Sequence, residues 1–253
     1  MHDDRDHEPD APESTEDLQG LARTIAKAGY ATRRQAEELV RSGRVHVDGR
    51  RVLDPGHGVR AEQDLMVDGR PLLEMARTYL AFHKPVDVAT SASAGHRVKL
   101  IGQYLPRDIP GLAPAGRLDA ATSGLLLVSN DSAWNAAAAS GHGFDKEFRL
   151  VVKGDVSELQ LGVVRAGVQL PKAGLVKPKA IELLEHDAGS CTLSLVLPGG
   201  KVRQIRSLFA ALRLEMTAVH RVRIGPVRLD KLAEGHWRPL TTAEVETIRR
   251  GRS

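Results

Sequence analysis

Leu125-Leu126-Leu127-Val128 is an unbroken apolar run, stopped at once by Ser129-Asn130-Asp131. Such a run against a turn signal reads as a short buried strand entering a turn. The residues before it sit less easily beside a core. In Gly116-Arg117-Leu118-Asp119-Ala120-Ala121-Thr122-Ser123-Gly124, two opposite charges flank a leucine between two glycines. Glycine at both ends permits tight turns and close backbone approach. A charge next to a core must be paired or used. On the structural reading, Arg117 and Asp119 brace the loop as an ion pair while Thr122 and Ser123 make local turn bonds. The alternative is that the charges do chemistry.

Charge is unevenly spread along the 253 residues. The first twenty hold eight acidic side chains and one basic, so the rest carries +11 of an overall +4. A basic body is the footprint of a polyanion binder. The acidic, Pro- and Ser-containing start has the composition of a disordered tail. No apolar run is long enough to span a bilayer and no signal pattern opens the chain, which gives a cytoplasmic expectation. A single cysteine, Cys191, excludes a disulfide framework and reads as a buried inert thiol.

Residues 21–70 are clearly punctuated. Leu21, Ile25 and Ala28 share one helix face that Gly29 ends. Thr32-Arg33-Arg34-Gln35 is a capping box opening a second helix, with Ala36, Leu39 and Val40 inward and Gly43 closing it. Short alternating strands follow around Val45, Val47 and Val52, with turns at Asp48-Gly49, Pro55-Gly56 and Asp68-Gly69. Cations in a first helical turn oppose the macrodipole, at a cost of about 0.3–1 kcal/mol each. Arg33 and Arg34 therefore read as phosphate contacts, with Arg23, Lys27, Arg41 and Arg44 nearby. The pattern over 21–69 closely resembles the S-four-type RNA-binding domain, which implies a structured-RNA partner and leaves the reaction open.

The string from Gly116 to Asp131 resembles, without a break, the catalytic signature of the pseudouridine synthases of the branch that modifies ribosomal RNA. Other segments agree with that resemblance. Tyr79-Leu80-Ala81-Phe82 reads as a strand delivering His83-Lys84-Pro85, where the branch carries Asn-Lys-Pro-x-Gly; here His83 replaces Asn and Asp87 replaces Gly. Lys146-Glu147-Phe148 matches a Lys-x-Tyr segment whose ring stacks on the target uracil, a role the resemblance assigns to Phe148, the alternative being an ordinary core residue on an alternating strand. Arg203-Gln204-Ile205-Arg206 matches the last motif, whose final arginine meets the catalytic aspartate. Ser91 to Arg97 reads as a polar loop, Val98 to Leu105 as a short helix and Ser132 to Ser140 as an alanine-rich helix. Strands are expected around Ala180–Leu184 and Cys191–Leu197, a helix through Leu212, and a last helix capped by Thr241 and Glu244.

The resemblance implies the following chemistry. Pseudouridylation breaks the N1–C1′ bond of a uridine, turns the uracil and rejoins it through C5, with no redox change, so neither cofactor nor metal is expected. The ten histidines show no ligand spacing. Asp119 is the carboxylate beside the sugar, acting as nucleophile or as charge stabiliser and proton carrier. Burial would neutralise it unless a cation compensates, and Arg206 is that partner. Arg117 would fill the space left by the flipped nucleotide. Leu118 and Ile205 would wall the base pocket, and Lys84 joins Arg117 and the N-terminal cations as an RNA contact.

The expected architecture is α+β. A disordered tail (1–20) leads to an S-four-type domain (21–75) and a catalytic domain (76–253) whose mixed, mostly antiparallel sheet carries the cleft. The expected partner is ribosomal RNA or a pre-ribosomal subunit, and large-subunit RNA is favoured by the phrases Asp-Lys-Glu-Phe, Arg-Gln-Ile-Arg and His-Lys-Pro-Val. A monomer is expected. The rival reading is a noncatalytic RNA-binding assembly factor, prompted by the departures at His83, Asp87, Phe148 and Ser207. A glycosidic-bond hydrolase would need a second carboxylate, for which no residue stands at a recognisable spacing.

Overall fold

The computed structural model describes residues 18–90, 99–140, 144–171, 173–199 and 202–251. The acidic start up to residue 17 and the polar loop expected at Ser91–Arg97 lie outside the described residues.

The N-terminal unit follows its sequence pattern closely. Helix α1 (Leu21–Lys27) ends at Gly29, whose φ of 77° is the left-handed geometry of a helix stop. Helix α2 (Arg33–Arg41) opens on the expected capping box, with the Thr32 hydroxyl and the Gln35 side chain exchanging backbone bonds. It buries Ala36, Leu39 and Val40. Four short strands, Arg50–Val52, Val45–Val47, Leu65–Val67 and Arg70–Pro71, lie side by side in that order. Asp48-Gly49 and Asp68-Gly69 take positive φ at both positions, so each closes a two-residue hairpin. Gln19–Gly20 pair with Gly58–Val59, which brings two residues assigned to the tail into this unit.

The second unit is built on one nine-stranded sheet. Its main strands are β1 (Tyr79–Lys84), β2 (Ser123–Ser129), β3 (Asp145–Lys153), β4 (Ala180–Asp187), β5 (Ser190–Pro198), β6 (Met216–Ile224) and β7 (Trp237–Pro239). They lie in the order β4-β5-β3-β6-β2-β1-β7. Every pairing along that order is antiparallel except β2 with β6. Helices cover both faces. Leu161 and Val164 of α4 (Glu158–Ala166) and Val202, Ile205, Leu208 and Phe209 of α5 (Val202–Ala211) share one core with Leu126 and Val128. Trp134 and Ala138 of α3 (Ser132–Ala139) and Val245 and Ile248 of α6 (Thr242–Arg250) share another with Leu125 and Leu127. The apolar run is continuous because β2 is covered on both sides, and all four side chains have no exposed surface. Burying each contributes roughly 1.5–3 kcal/mol.

Three expectations are amended. The helix expected at Val98–Leu105 is a strand pair of residues, Lys99–Leu100, followed by a single 3-10 turn at Ile101–Gln103. Helix α4 and the small hairpin of Val168–Leu170 with Gly174–Val176 went unread, although Ser157 and Gln160 form a capping box. Strand β4 runs on to Asp187, beyond the expected Leu184, because it is paired along β5.

The two units meet at glycines. A Cβ on Gly111 would overlap the carbonyl oxygen of Gly29, and Arg77 donates to the carbonyls of Lys27 and Asn130 at 2.7 and 3.4 Å. The β2–β6 seam is tighter still. Gly124 has φ 106°, and a Cβ there would overlap the backbone of Arg221. Replacing Gly124 by alanine therefore adds backbone strain to a main-chain clash inside the sheet. Urea unfolding should show a loss of about 3 kcal/mol or more for Gly124→Ala, against about 1–2 kcal/mol for alanine at Gly49, where the left-handed turn geometry is strained but nothing lies within reach of a Cβ.

Candidate active site

The loop between Gly116 and Ser123 hangs over the end of β2, pinned by bonds to its backbone. Thr122, fully buried, donates its N–H to the Asp119 carbonyl at 3.2 Å and tightens the turn. From the segment after β1, the Asp87 N–H donates to the Ala120 carbonyl at 2.8 Å and the Thr90 hydroxyl to the Leu118 carbonyl at 3.2 Å. Asp87 occupies the position where the branch carries glycine, and its φ of 56° lies in the left-handed region. Aspartate tolerates that geometry better than most side chains, so the loop keeps its shape.

Asp119 and Arg206 come together as expected, with the Arg206 Nε 3.8 Å from the Asp119 carboxylate. The expected burial does not hold: the two side chains are 43% and 37% exposed. At that distance and exposure the pair contributes about 1 kcal/mol or less. Arg206 also donates to the Ala121 carbonyl and the Thr122 hydroxyl, both at 3.4 Å, so it clasps the loop as well as facing its carboxylate. Its exposure leaves the Asp119 carboxylate open to the cavity beside it.

Three cations around the site are buried among the described residues, Lys84, Arg221 and Lys146, the last two in the wall of the cavity beside Asp119. Lys84 has no exposed surface and donates to the carbonyls of Pro85, Val88 and Ala120 at 2.6, 2.7 and 3.4 Å. Burial pulls its ammonium down to about 8, against the opposing pull of Asp119 and Asp87. Lys84 therefore holds the loop from below and does not reach RNA, which corrects its assignment as an RNA contact. Arg221 on β6 is 5% exposed and donates from Nε to the Leu125 carbonyl at 2.8 Å. The sequence reading passed over it, because nothing in Val219-His220-Arg221-Val222-Arg223 shows which arginine points inward.

A cavity of about 520 Å³ opens beside Asp119, lined by Arg117, Leu118, Ala138, Val202, Arg203, Arg221 and Ile224 among others. Leu118 is the expected apolar wall. Arg117 is exposed at the same cavity. Ile205 and Phe148 are fully buried and do not line it. Phe148 faces Arg221 across the β3–β6 register and packs in the core with Leu118 and Ile205. Its ring is thus a support under the site rather than a presented stacking surface, because strand alternation sends Phe148 inward with Leu150 and Val152.

The other departure, His83, ties β1 to the C-terminal segment. Its Nδ1 bonds the Leu232 carbonyl at 2.8 Å, and its ring meets that of His220 edge-on at 5.1 Å. His220 bonds Ser123 at 2.8 Å through Nδ1, and its pKa is pushed down to about 4, first by burial and then by His83 and Arg149.

On the N-terminal unit, Arg23, Lys27, Arg33, Arg34 and Arg44 are all exposed. Arg33 pairs with Glu37 at 3.1 Å, and Arg44 is held by Asp68 through two bonds, from Nε at 2.6 Å and from Nη2 at 2.5 Å. Arg44 is therefore a brace within its own domain, while Arg34, Arg23 and Lys27 project without an ion-pair partner among the described residues. Asp155, His186 and Cys191 gather near the tip of the β4–β5 hairpin, with His186 Nε2 2.7 Å from Asp155. Only the hairpin pairing brings them together, so chain spacing gave no sign of it. No helix of the described residues is long and apolar enough to cross a membrane.

Lys84 gives a pH signature with a fixed sign. Its folded pKa of about 8 lies below the usual 10.5, so between those values the unfolded chain holds more protons. Stability contributed at this site therefore rises with pH through that window, and below it the penalty of burying the charge is fully present. The stability of the wild type relative to Lys84→Met should increase by about 2 kcal/mol from pH 7.5 to pH 10, read by urea unfolding.

Comparison with known proteins agrees with this geometry. Residues 19–65 match the S4 domain and residues 78–211 match the family model described as RNA pseudouridylate synthase. The chain is 31% identical to the ribosomal large subunit pseudouridine synthase B of Bacillus subtilis, covering 92% of this chain and 96% of the relative. It is 32% identical to the ribosomal small subunit pseudouridine synthase A of Yersinia pestis, covering 84% and 90%. A crystal structure of a pseudouridylate synthase superposes with a TM-score of 0.64 at 27% identity, over 90% of this chain and 99% of that one. With Asp119 and Arg206 facing each other at a cavity and an RNA-binding domain docked alongside, the chain belongs to the RNA pseudouridylate synthase family.

Proposed function

We propose that the protein isomerises a uridine of ribosomal RNA, with the large subunit as its target and the S4 domain docking the substrate. The observation that carries this reading is the placement of Asp119 at the lip of the cavity, between Arg206 and the loop braced from below by Lys84. The large-subunit assignment is supported by Asp145-Lys146-Glu147-Phe148, Arg203-Gln204-Ile205-Arg206 and His83-Lys84-Pro85-Val86; relatives named for both subunits stand at similar identity.

The chemistry follows from the geometry. A uridine drawn out of its stack enters the cavity with its ribose toward Asp119. The carboxylate attacks C1′ or stabilises the positive charge that develops there, while the uracil leaves with the N1–C1′ bonding pair. The base then turns, C5 bonds C1′ and frees the carboxylate from it, the C5 proton is released, and N1 takes up a proton. Arg117 at the mouth takes the space of the displaced nucleotide, and Arg206 keeps the carboxylate directed at the sugar. The protein works as a monomer in the cytoplasm, without metal or cofactor. Its departures at His83 and Asp87 leave the loop intact, which favours turnover over binding alone.

Two measurements test this. Tritium release from ribosomal RNA labelled at C5 of uridine should plateau at the label of the target uridine with the wild type and be absent with Asp119→Ala, which stays folded because the side chain is half exposed. Release that persists in the variant would remove Asp119 from the reaction. Mapping the product on both ribosomal RNAs fixes the subunit, and a modified site only in the small-subunit RNA would overturn the large-subunit assignment. For docking, Arg34→Glu with Lys27→Glu should weaken RNA binding and lower the slope of log K against log salt by about one per lost phosphate contact. An unchanged slope would move the RNA to another face.

A further inference from the structure

We propose that Arg221 is the electrophilic residue of the site, donating from its unpartnered Nη2 to a carbonyl oxygen of the target uracil and stabilising the negative charge the ring acquires on leaving. This rests on the pseudouridylation reading above.

Four observations converge on this side chain. Arg221 is nearly buried, yet it forms part of the wall of the cavity that holds Asp119. Its Nε is committed to the Leu125 carbonyl, which fixes the guanidinium, while Nη2 has no hydrogen-bond partner among the described residues. Among the described residues no carboxylate offsets its charge: burial lowers its pKa to about 9, so it is still a cation at neutral pH. The third is the most telling, since burying an uncompensated guanidinium with an idle donor is unfavourable. A fold keeps such a group where a ligand completes it.

The surroundings select the ligand. Ala115, Leu118, Ala138, Val202 and Ile224 give the cavity apolar walls, which suit the faces of a base, and Lys146 stands buried in the same lining. The exposed arginines at this cavity, Arg117 and Arg203, are where backbone phosphates would be met. Position also matters. In β6 the residue after Arg221, Val222, is the extra one of a β-bulge, since Phe148 pairs with Arg221 and the preceding Glu147 with Arg223. Bulges of this kind aim side chains at sites. When the N1–C1′ bond breaks, its electron pair goes to the ring and spreads over N1, O2 and O4. A fixed cationic donor in a poorly solvated wall stabilises that charge as it forms. The later bond from C5 to C1′ returns the pair, the C5 proton leaves to solvent and N1 takes one up, so the isomerisation balances with no other reactant.

The test uses Arg221→Met, of similar length without donors, and Arg221→Lys, which restores a cation. Single-turnover rates are measured with excess enzyme on ribosomal RNA transcripts carrying uridine or 5-fluorouridine, alongside RNA affinity and thermal unfolding. The methionine variant should lose about 10²–10³ in rate on uridine, keep its RNA affinity within about twofold, and unfold at or above the wild-type temperature because a buried charge is gone. On 5-fluorouridine, followed by consumption of the nucleoside, its deficit should shrink at least about tenfold, because the fluorine itself stabilises the departing ring's charge. Lysine should recover part of the rate, and it carries the comparison if the methionine variant does not fold. Rates within about twofold of wild type for both variants would overturn the proposal, as would equal deficits on the two substrates, the mark of a merely structural role. A wild type inactive on both ribosomal RNAs would instead remove the pseudouridylation reading itself, and this proposal with it.

Discussion

The seam between β2 and β6 is the constraint on which the rest of the site depends. It pairs Ser123 with His220 and Gly124 with Arg221 in parallel, inside a sheet whose other neighbours run antiparallel. The strands approach so closely that Gly124 can carry no side chain. That contact sets the end of β2 against the middle of β6, and the loop bearing Asp119 is then hung over the side chains of both. A wider seam would separate the carboxylate from the arginine wall of its cavity.

Charge is arranged around the loop in tiers. Arg206 meets the carboxylate from the side at a partly solvated distance, which costs little and holds loosely. Lys84 and Arg221 lie underneath, buried, where their fields are screened far less. Lys84 spends its three protons on main-chain carbonyls and so serves as a structural pin. Arg221 spends only part of its donor set. The contrast between these two buried side chains, one with its donors engaged and one with a donor open, distinguishes them in a site where both bear positive charge.

Much of this was legible in the chain. Capping residues, helix stops and Asp-Gly turns act within a few residues, and they placed α1, α2, α6 and the N-terminal hairpins with little error. The string Gly116–Asp131 marked the loop, and Arg206 was matched to Asp119 across 87 positions only through the resemblance of its motif. The misreadings have one origin. Lys84 and Phe148 were judged by residue type, a cation as an RNA contact and a ring as a stacking surface, whereas β1 and β3 turn both side chains inward. Arg44 looked like a phosphate ligand until its Asp68 partner, distant in sequence, came alongside.

The sequence by itself determined the α+β class, the S4 unit and the Gly116–Asp131 loop that carries Asp119, because these rest on local backbone preferences and a contiguous motif. Only the tertiary structure decided which cations face the loop, how exposed the carboxylate is, and which arginine of β6 enters the cavity wall. Those depend on strand register and on the face each side chain takes. Both are set by pairings between segments far apart in the chain, and no residue announces them by its own type.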